Sequence, residues 1–340
     1  MSRFTFPQFQ RTLRQFALAS VAVAAASSAM AQAWQPTKTV EILVASGAGG
    51  GTDQLARLTQ SIITKYKLLN VSTVVINKGG GNGGEGFLDT KLAQGDAHKI
   101  IVGTNNGYLL PLVAKIGYEW SELTPVAVLA QDEFLLWAPA DAPFKTAKEY
   151  LDAAKADPGT YRMGGSQSKD VDHTLTLLIN KVYGTKFTYI PFKSGGEAAT
   201  QLAGKHIASN VNNPSENISQ WRAGQVKPLC LFSKTRMGYT AKVTTDMAWS
   251  DIPTCKEQGI SIDEYRMPRS IVMPGGVTQE QVRFYVDLMK KVVDTPEFKE
   301  YVDRNALTPS FLTGDAFKTY AMEDEQRARK IFQEAGWLAK

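Results

Sequence analysis

The sequence is poor in the residues that build metal centres and covalent chemistry. It has two cysteines, Cys230 and Cys255. Two are too few for a disulfide-stapled mini-scaffold or a cysteine-based zinc cluster. Its three histidines, His98, His173 and His206, lie far apart and never form H-E-x-x-H. No metal and no cofactor is expected. After residue 31 no apolar run approaches eighteen residues, so the mature chain should not span a membrane. Tandem repeats, coiled-coil heptads and linkers rich in Pro, Gly or Ser are absent too. A 43% hydrophobic and 21% charged composition is that of a globular protein, which excludes disorder and collagen-like chains. The 340 residues leave room for two domains of roughly 150 residues each.

Acidic residues are missing from the first thirty positions, where Arg3, Arg11 and Arg14 form a basic start. Residues 16–26 (FALASVAVAAA) follow as an apolar stretch, then Ala29-Met30-Ala31, a small-x-small cleavage pattern. This is the layout of a secretory signal peptide. Eleven residues of helix span about 16 Å, too short for a hydrocarbon core of about 30 Å. Residues 1–31 are therefore expected to be cleaved after Ala31, and the mature chain to begin at Gln32 in the periplasm. Cleavage lowers the net charge from +5 to +2. A nearly neutral chain without a basic cluster gives no reason to expect nucleic acid or a membrane surface as partner. An oxidising compartment and an even cysteine count lead us to expect a Cys230–Cys255 bridge.

The mature chain alternates strand-like and helix-like segments. Residues 39–45 (TVEILVA) read as a strand, a Gly-rich turn follows, and Leu55, Leu58 and Ile62 recur at helical spacing. Thr52 is the expected N-cap, with Asp53 in the first turn. Residues 72–76 and 100–104 read as further strands, and residues 87–94 as a short helix. Thr146 with Glu149, and Thr278 with Gln281, form capping boxes, and Thr295-Pro296 opens another helix. The pattern predicts an α/β protein with parallel sheets covered by helices.

Both Gly-rich turns lie between a strand and a helix, where parallel sheets receive ligands. Free N–H groups and the helix dipole favour an anion there, a small carboxylate or phosphate. Gly79, Gly81 and Gly84 match the dinucleotide fingerprint, but only within a segment dense in glycine. Neither turn has the Gly-Lys-Ser/Thr of a nucleotide P-loop. Gly164-Gly165-Ser166-Gln167-Ser168 falls one residue short of a hydrolase elbow, and Asp172 and His173 lie just beyond it. A secreted serine hydrolase using Ser166 and His173 is the rival from a different class.

The segment 40–58 (VEILVASGAGGGTDQLARL) after a signal peptide resembles the opening of the Bug, or TctC-like, extracytoplasmic solute receptors of tripartite tricarboxylate transporters. Residues 75–86 (VINKGGGNGGEG), 189–196 (YIPFKSGG), 220–224 (QWRAG), 251–259 and 273–277 (MPGGV) fit the later signature in order. The resemblance implies a two-lobed Venus-flytrap fold with two crossover segments. We expect lobe 1 at 32–132 plus 251–340 and lobe 2 at 133–250. It implies a non-enzymatic receptor, expected to be a monomer, for a small organic carboxylate: a di- or tricarboxylate, or an aromatic one. The ligand would pass to membrane subunits of the tripartite type, or alternatively to a sensor kinase. It further implies that Gly47, Ala48, Gly49, Gly50, Gly51 and Thr52, with Gly80, Gly81 and Asn82, hold the carboxylate.

Position adds Thr104 and Asn105 after a strand, Ser166, Gln167 and Ser168, Lys193 and Gly195, and Asn210, Asn212 and Asn213. The segment 265–270 (YRMPRS) departs from the Trp-x-Gly common in these receptors. It brings Arg266 and Arg269, and Arg269 is a candidate carboxylate clamp. Trp120, Trp221 and Trp249 are expected to be packing residues.

Overall fold

The computed structural model describes residues 34–339, so the expected signal peptide and its cleavage after Ala31 lie outside the described residues. The chain opens with β1 (Val40–Val44), α1 (Gly51–Lys65), β2 (Thr73–Asn77), α2 (Gly84–Leu92), β3 (Lys99–Gly103) and α3 (Asn106–Val113). A long strand, β4 (Leu123–Glu133), then runs through Phe134 into β5 (Leu135–Pro139). Next come α4 (Ala147–Ala156), β6 (Arg162–Ser166), α5 (Val171–Tyr183), β7 (Thr188–Phe192), α6 (Gly195–Ala203), β8 (Ser209–Asn212), α7 (Pro214–Arg222) and β9 (Val226–Leu231). The chain returns as β10 (Arg266–Pro274) and finishes with α8 (Gln279–Val293), α9 (Pro296–Arg304), β11 (Thr308–Thr313) and α10 (Gly314–Glu334).

Two sheets result, in the orders β11-β4-β10-β3-β1-β2 and β7-β6-β8-β5-β9. The β-α units pair in parallel, β1 with β2 and β3, and β6 with β7 and β8. The expectation of purely parallel sheets needs correction. The crossing strand β10 lies antiparallel to both β3 and β4, and β5 lies antiparallel to β8 and β9. A chain that leaves one sheet and comes back must reverse direction as it returns, which a pattern of local strands and helices does not reveal.

Each lobe has its own core. Leu43, Phe87, Ile101, Val128, Val272, Phe317 and Phe332 cluster in the first. In the second, Phe134, Leu136, Tyr150, Leu175 and Ile179 pack with Cys255, Ile260 and Ile262. Residues 251–265, expected to begin the return of lobe 1, thus pack on the second sheet. Cys255 is bonded to Cys230 of β9, as expected from the compartment and the even count. Trp221 and Trp249 pack edge-to-face against Trp137, and Trp120 meets Tyr108 and Phe317, so these indoles are packing residues.

Local signals place most helix starts. Thr146 accepts from Glu149 N at 3.1 Å, and Thr278 and Gln281 exchange bonds at 3.2 and 2.8 Å. Thr52 is a correction. The N-cap of α1 is Gly50, and the acceptor that tidies the turn is Asp53, which takes Gly49 N at 2.8 Å. Thr52 sits inside the helix with its hydroxyl turned to another partner. No helix among the described residues is long and apolar enough to cross a membrane.

Candidate functional site

The first Gly-rich turn leaves β1 and enters α1 at the carboxyl edge of the first sheet. Gly47, Ala48, Gly49, Gly50, Gly51 and Thr52 line a cavity of about 680 Å³ that reaches the second lobe. Gly51 N–H and Thr52 N–H, in the first turn of α1, have no main-chain acceptor among the described residues. They are the unpaired donors that any helix start carries, and they suit an anion. The second turn supports the first. A Cβ on Gly79 would stand 2.5 Å from Ser46 C and 2.6 Å from Gly47 N, so the two turns lie backbone on backbone. Asn82 lines the cavity, whereas Gly80 and Gly81 are exposed and do not line it.

Arg269 comes from β10, beside a bulge that breaks its register with β4 between Arg269 and Ser270. Only 8% of it is exposed. Its Nη1 donates to Thr52 Oγ1 at 2.7 Å, and its Nη2 meets Asp132 Oδ2 at 2.5 Å. Its Nε is buried and has no hydrogen-bond partner among the described residues. A guanidinium brought this far from water and tied to the turn sets positive charge beside the open N–H groups, which favours an anion there. Arg266 does different work. It pairs with Glu133 through Nε at 2.8 Å and with Ser233 through Nη2 at 2.8 Å, where the strands cross between lobes.

The second-lobe wall is built from strand ends and helix starts. Ser166, Gln167, Lys193, Gly195 and Asn213 line the cavity, as Thr104 does from the first lobe. Besides Gly80 and Gly81, four more expected contacts fall elsewhere. Asn105 is buried and donates to Asp324 at 3.2 Å, away from the cleft. Ser168 is exposed. Asn210 accepts from Asn217 at 3.2 Å, and Asn212 donates to Gly195 O and to Asn217 at 2.7 Å each. Asn212 thus holds the start of α6, and both amides tie β8 to Asn217 of α7; their buried positions leave them no face toward the cavity.

Sequence reasoning missed the acids. Asp132, Asp170, Asp172 and Glu216 all line the cavity. Asp170 and Asp172 open α5, and Glu216 closes a capping box with Asn213 at the start of α7. The box rule that located Thr146 would have found Asn213-Pro214-Ser215-Glu216 as well. Burial pushes the Asp132 carboxyl up, with Arg269 opposing it. Burial also raises Asp170. Asp172 is driven well above the usual carboxylate range by burial and then by Glu216, and Glu216 is pushed up to about 7 by burial and then by Asp132.

No hydrolytic triad forms. Ser166 Oγ donates to Asp172 at 2.9 Å, while His173 stacks on Tyr189 at 4.0 Å and takes Lys169 N on Nδ1. Among the described residues no three or more His, Cys, Asp or Glu converge as a metal site requires.

The family model described as "Tripartite tricarboxylate transporter family receptor", TctC, matches residues 56–337. A UPF0065 protein in the gbd 5' region of Cupriavidus necator is 28% identical, with 93% of each chain covered. A TctC solute binding protein from Polaromonas superposes with a TM-score of 0.70 at 25% identity, covering 88% of this chain and 99% of that one. The R. palustris protein Rpa4515, whose structure holds adipate, superposes with a TM-score of 0.77 at 22% identity, covering 89% and 99%.

Proposed function

Because this chain belongs to the tripartite tricarboxylate transporter receptor family, TctC, we propose that it captures a small organic carboxylate between its lobes and hands it to membrane subunits of the tripartite type. Receptors of this family are periplasmic and bind their solute without transforming it. The observation that carries the carboxylate reading is the meeting of the unpaired N–H groups of Gly51 and Thr52 with the buried Arg269 at one edge of the cleft. Ligand carboxylate oxygens would accept from these N–H groups, beside the positive charge of Arg269. Asn82, Thr104, Ser166, Gln167, Lys193, Gly195 and Asn213 would surround the rest of the molecule, with Asn106 added from the first lobe.

The lobes we propose are 36–133 with 266–339, and 134–265. Delivery to a sensor kinase is the second reading within this class, and the cleft would serve it equally. The test is a thermal-shift screen of the purified mature chain against small carboxylates. A ligand present at 100 times its dissociation constant should add about 2.7 kcal/mol. Absence of any shift across mono-, di-, tricarboxylates and amino acids would remove the reading. Intact mass of exported protein tests the Gln32 start, and light scattering tests the monomer.

A further inference from the structure

Both lobes also line a second cavity, behind the crossing strands. Arg266 of β10 pairs with Glu133 of β4, and Met267 with Asp132. Successive residues of a strand point to opposite sides. Asp132, Met267 and Arg269 line the cleft. Arg266, on the other face of the ladder, lines a rear cavity of about 410 Å³. The first lobe supplies Leu109 of α3 with Tyr320 and Ile331 of α10. The second supplies Leu178 of α5, with Ile262 and Tyr265 from the segment before β10. Leu178, Tyr265, Tyr320 and Ile331 are only half-buried, so apolar surface is left for an occupant, and the volume is that of a small-molecule site.

The charges around this cavity favour an anion, because its acids are already engaged. Asp324 accepts from Asn105 Nδ2 at 3.2 Å, from Tyr108 Oη at 2.9 Å and from Arg327 at 3.2 Å. Glu264 meets Arg266 at 3.3 Å and Lys234 at 3.8 Å, and Asp263 meets Lys256 at 2.9 Å. Two lysines of the lining are differently placed. Lys330 forms no ion pair among the described residues. Lys181 is held only by Glu334 at 2.7 Å, where 50% and 56% of the two side chains are exposed. Exposed pairs of this kind are weak, so both ammonium groups can turn to an incoming anion.

We propose that the rear cavity is a second binding site, for an amphiphilic monoanion: a medium-length hydrocarbon chain ending in one anionic head. The tail lies among Leu109, Leu178, Ile262 and Ile331, and the head meets Lys181 and Lys330. The site does not depend on what the cleft binds. It is coupled to the cleft through the crossing strands, since the two cavities lie on opposite faces of one ladder. Lobes that turn apart at the cleft close on the rear cavity. A filled rear cavity therefore favours the closed cleft, and by linkage a filled cleft favours the rear occupant.

Calorimetric titration of the mature chain with octanesulfonate tests the site, with butanesulfonate to probe the tail and octyltrimethylammonium to probe the charge. Octanesulfonate should bind at least tenfold more tightly than either. Leu178→Asp should weaken it at least tenfold and Lys330→Glu several-fold, while Gly51→Ala, in the cleft, should leave it unchanged. Octyltrimethylammonium binding as tightly as octanesulfonate overturns the proposal. So does binding that is lost in Gly51→Ala and kept in both rear variants, which would put the probe in the cleft. If Leu178→Asp fails to fold, Lys330→Glu, at an exposed position, still decides. Small-angle scattering reads the coupling: saturating octanesulfonate should lower the radius of gyration of the chain with its cleft empty. Binding without any change in the scattering curve overturns the coupling and keeps the site. A carboxylate screen that finds no cleft ligand leaves all of these outcomes readable, so the two readings fail separately.

Discussion

Gly51 has no side chain where Arg269 needs room: a Cβ there would stand 2.8 Å from Nη2. Gly50, by contrast, has an ordinary φ of −73° and would place a Cβ no closer than 3.7 Å to its neighbours. A Gly-rich run announces a ligand turn, but spacing alone does not say which glycine is indispensable, because that depends on a guanidinium more than two hundred residues away. We expect Gly51→Ala to weaken carboxylate binding at least tenfold, about 1.4 kcal/mol, with Gly50→Ala close to unchanged; titration of both variants checks it. Glu216 gives a second expectation. Its pKa is raised from 4.5 to about 7, so the folded chain holds a proton that the unfolded chain releases. Ionising it costs stability as pH rises from about 4.5 through 7, by at most about 3 kcal/mol. His173 works oppositely: burial, then Lys169, pushes it down to about 4, so its contribution is lost as pH falls from 6.5 through 4. Comparing native protein with Glu216→Gln isolates the first effect. Between pH 7.5 and 5 the native chain should gain denaturation free energy relative to the variant, and parallel curves would refute the assignment.

Helix starts were the most legible elements, because their signals are local. Thr146, Thr278 and Thr295 each cap as their sequence motifs imply. The crossing strands were not legible: β4 and β10 pair across more than a hundred residues, and nothing in either segment names its partner. The candidate site divides along the same line. Gly47, Thr52, Ser166 and Asn213 follow from strand ends and helix starts. The Asp132–Arg269 pair follows only from the antiparallel pairing of β4 with β10. At this scale the disulfide is the testable joint. It closes a separation of 25 residues between β9 and the segment that packs beneath the second sheet. In the chain-entropy account such a loop stabilises by about 3 kcal/mol. Cys230→Ala with Cys255→Ala should lower the urea midpoint accordingly while leaving ligand affinity within a few-fold. A midpoint unchanged by reduction or by the double variant would mean that packing around Ile260 and Ile262 does the holding.

For the molecule as a whole, the two lobes meet where Glu133 ends β4 and Arg266 begins β10. Glu133 is 2% exposed and accepts from Arg266 at 2.8 Å and from Thr308, while Arg266 also reaches Ser233 beyond β9. Both crossings, the exit from β9 and the entry to β11 are therefore tied at one buried charge pair. A receptor that closes on its ligand must turn about such crossings, so this pair should set the angle between lobes more than it sets the chemistry of the cleft. Removing one partner leaves the other charge buried and unpaired, which typically costs 3–5 kcal/mol. Arg266→Met should therefore lower stability by about that amount, whereas Arg266→Met with Glu133→Leu should recover much of it, since a matched apolar pair strands no charge. Small-angle scattering of the double variant then reads the mechanical role. Without the tie, the ligand-free chain should populate a broader range of lobe angles and a larger radius of gyration, and saturating ligand should restore the compact form. Calorimetry should show the affinity reduced, because closure must now order a looser joint. Scattering curves that coincide with the native protein in both states would show that the backbone crossings alone, and not the buried pair, fix how the lobes stand.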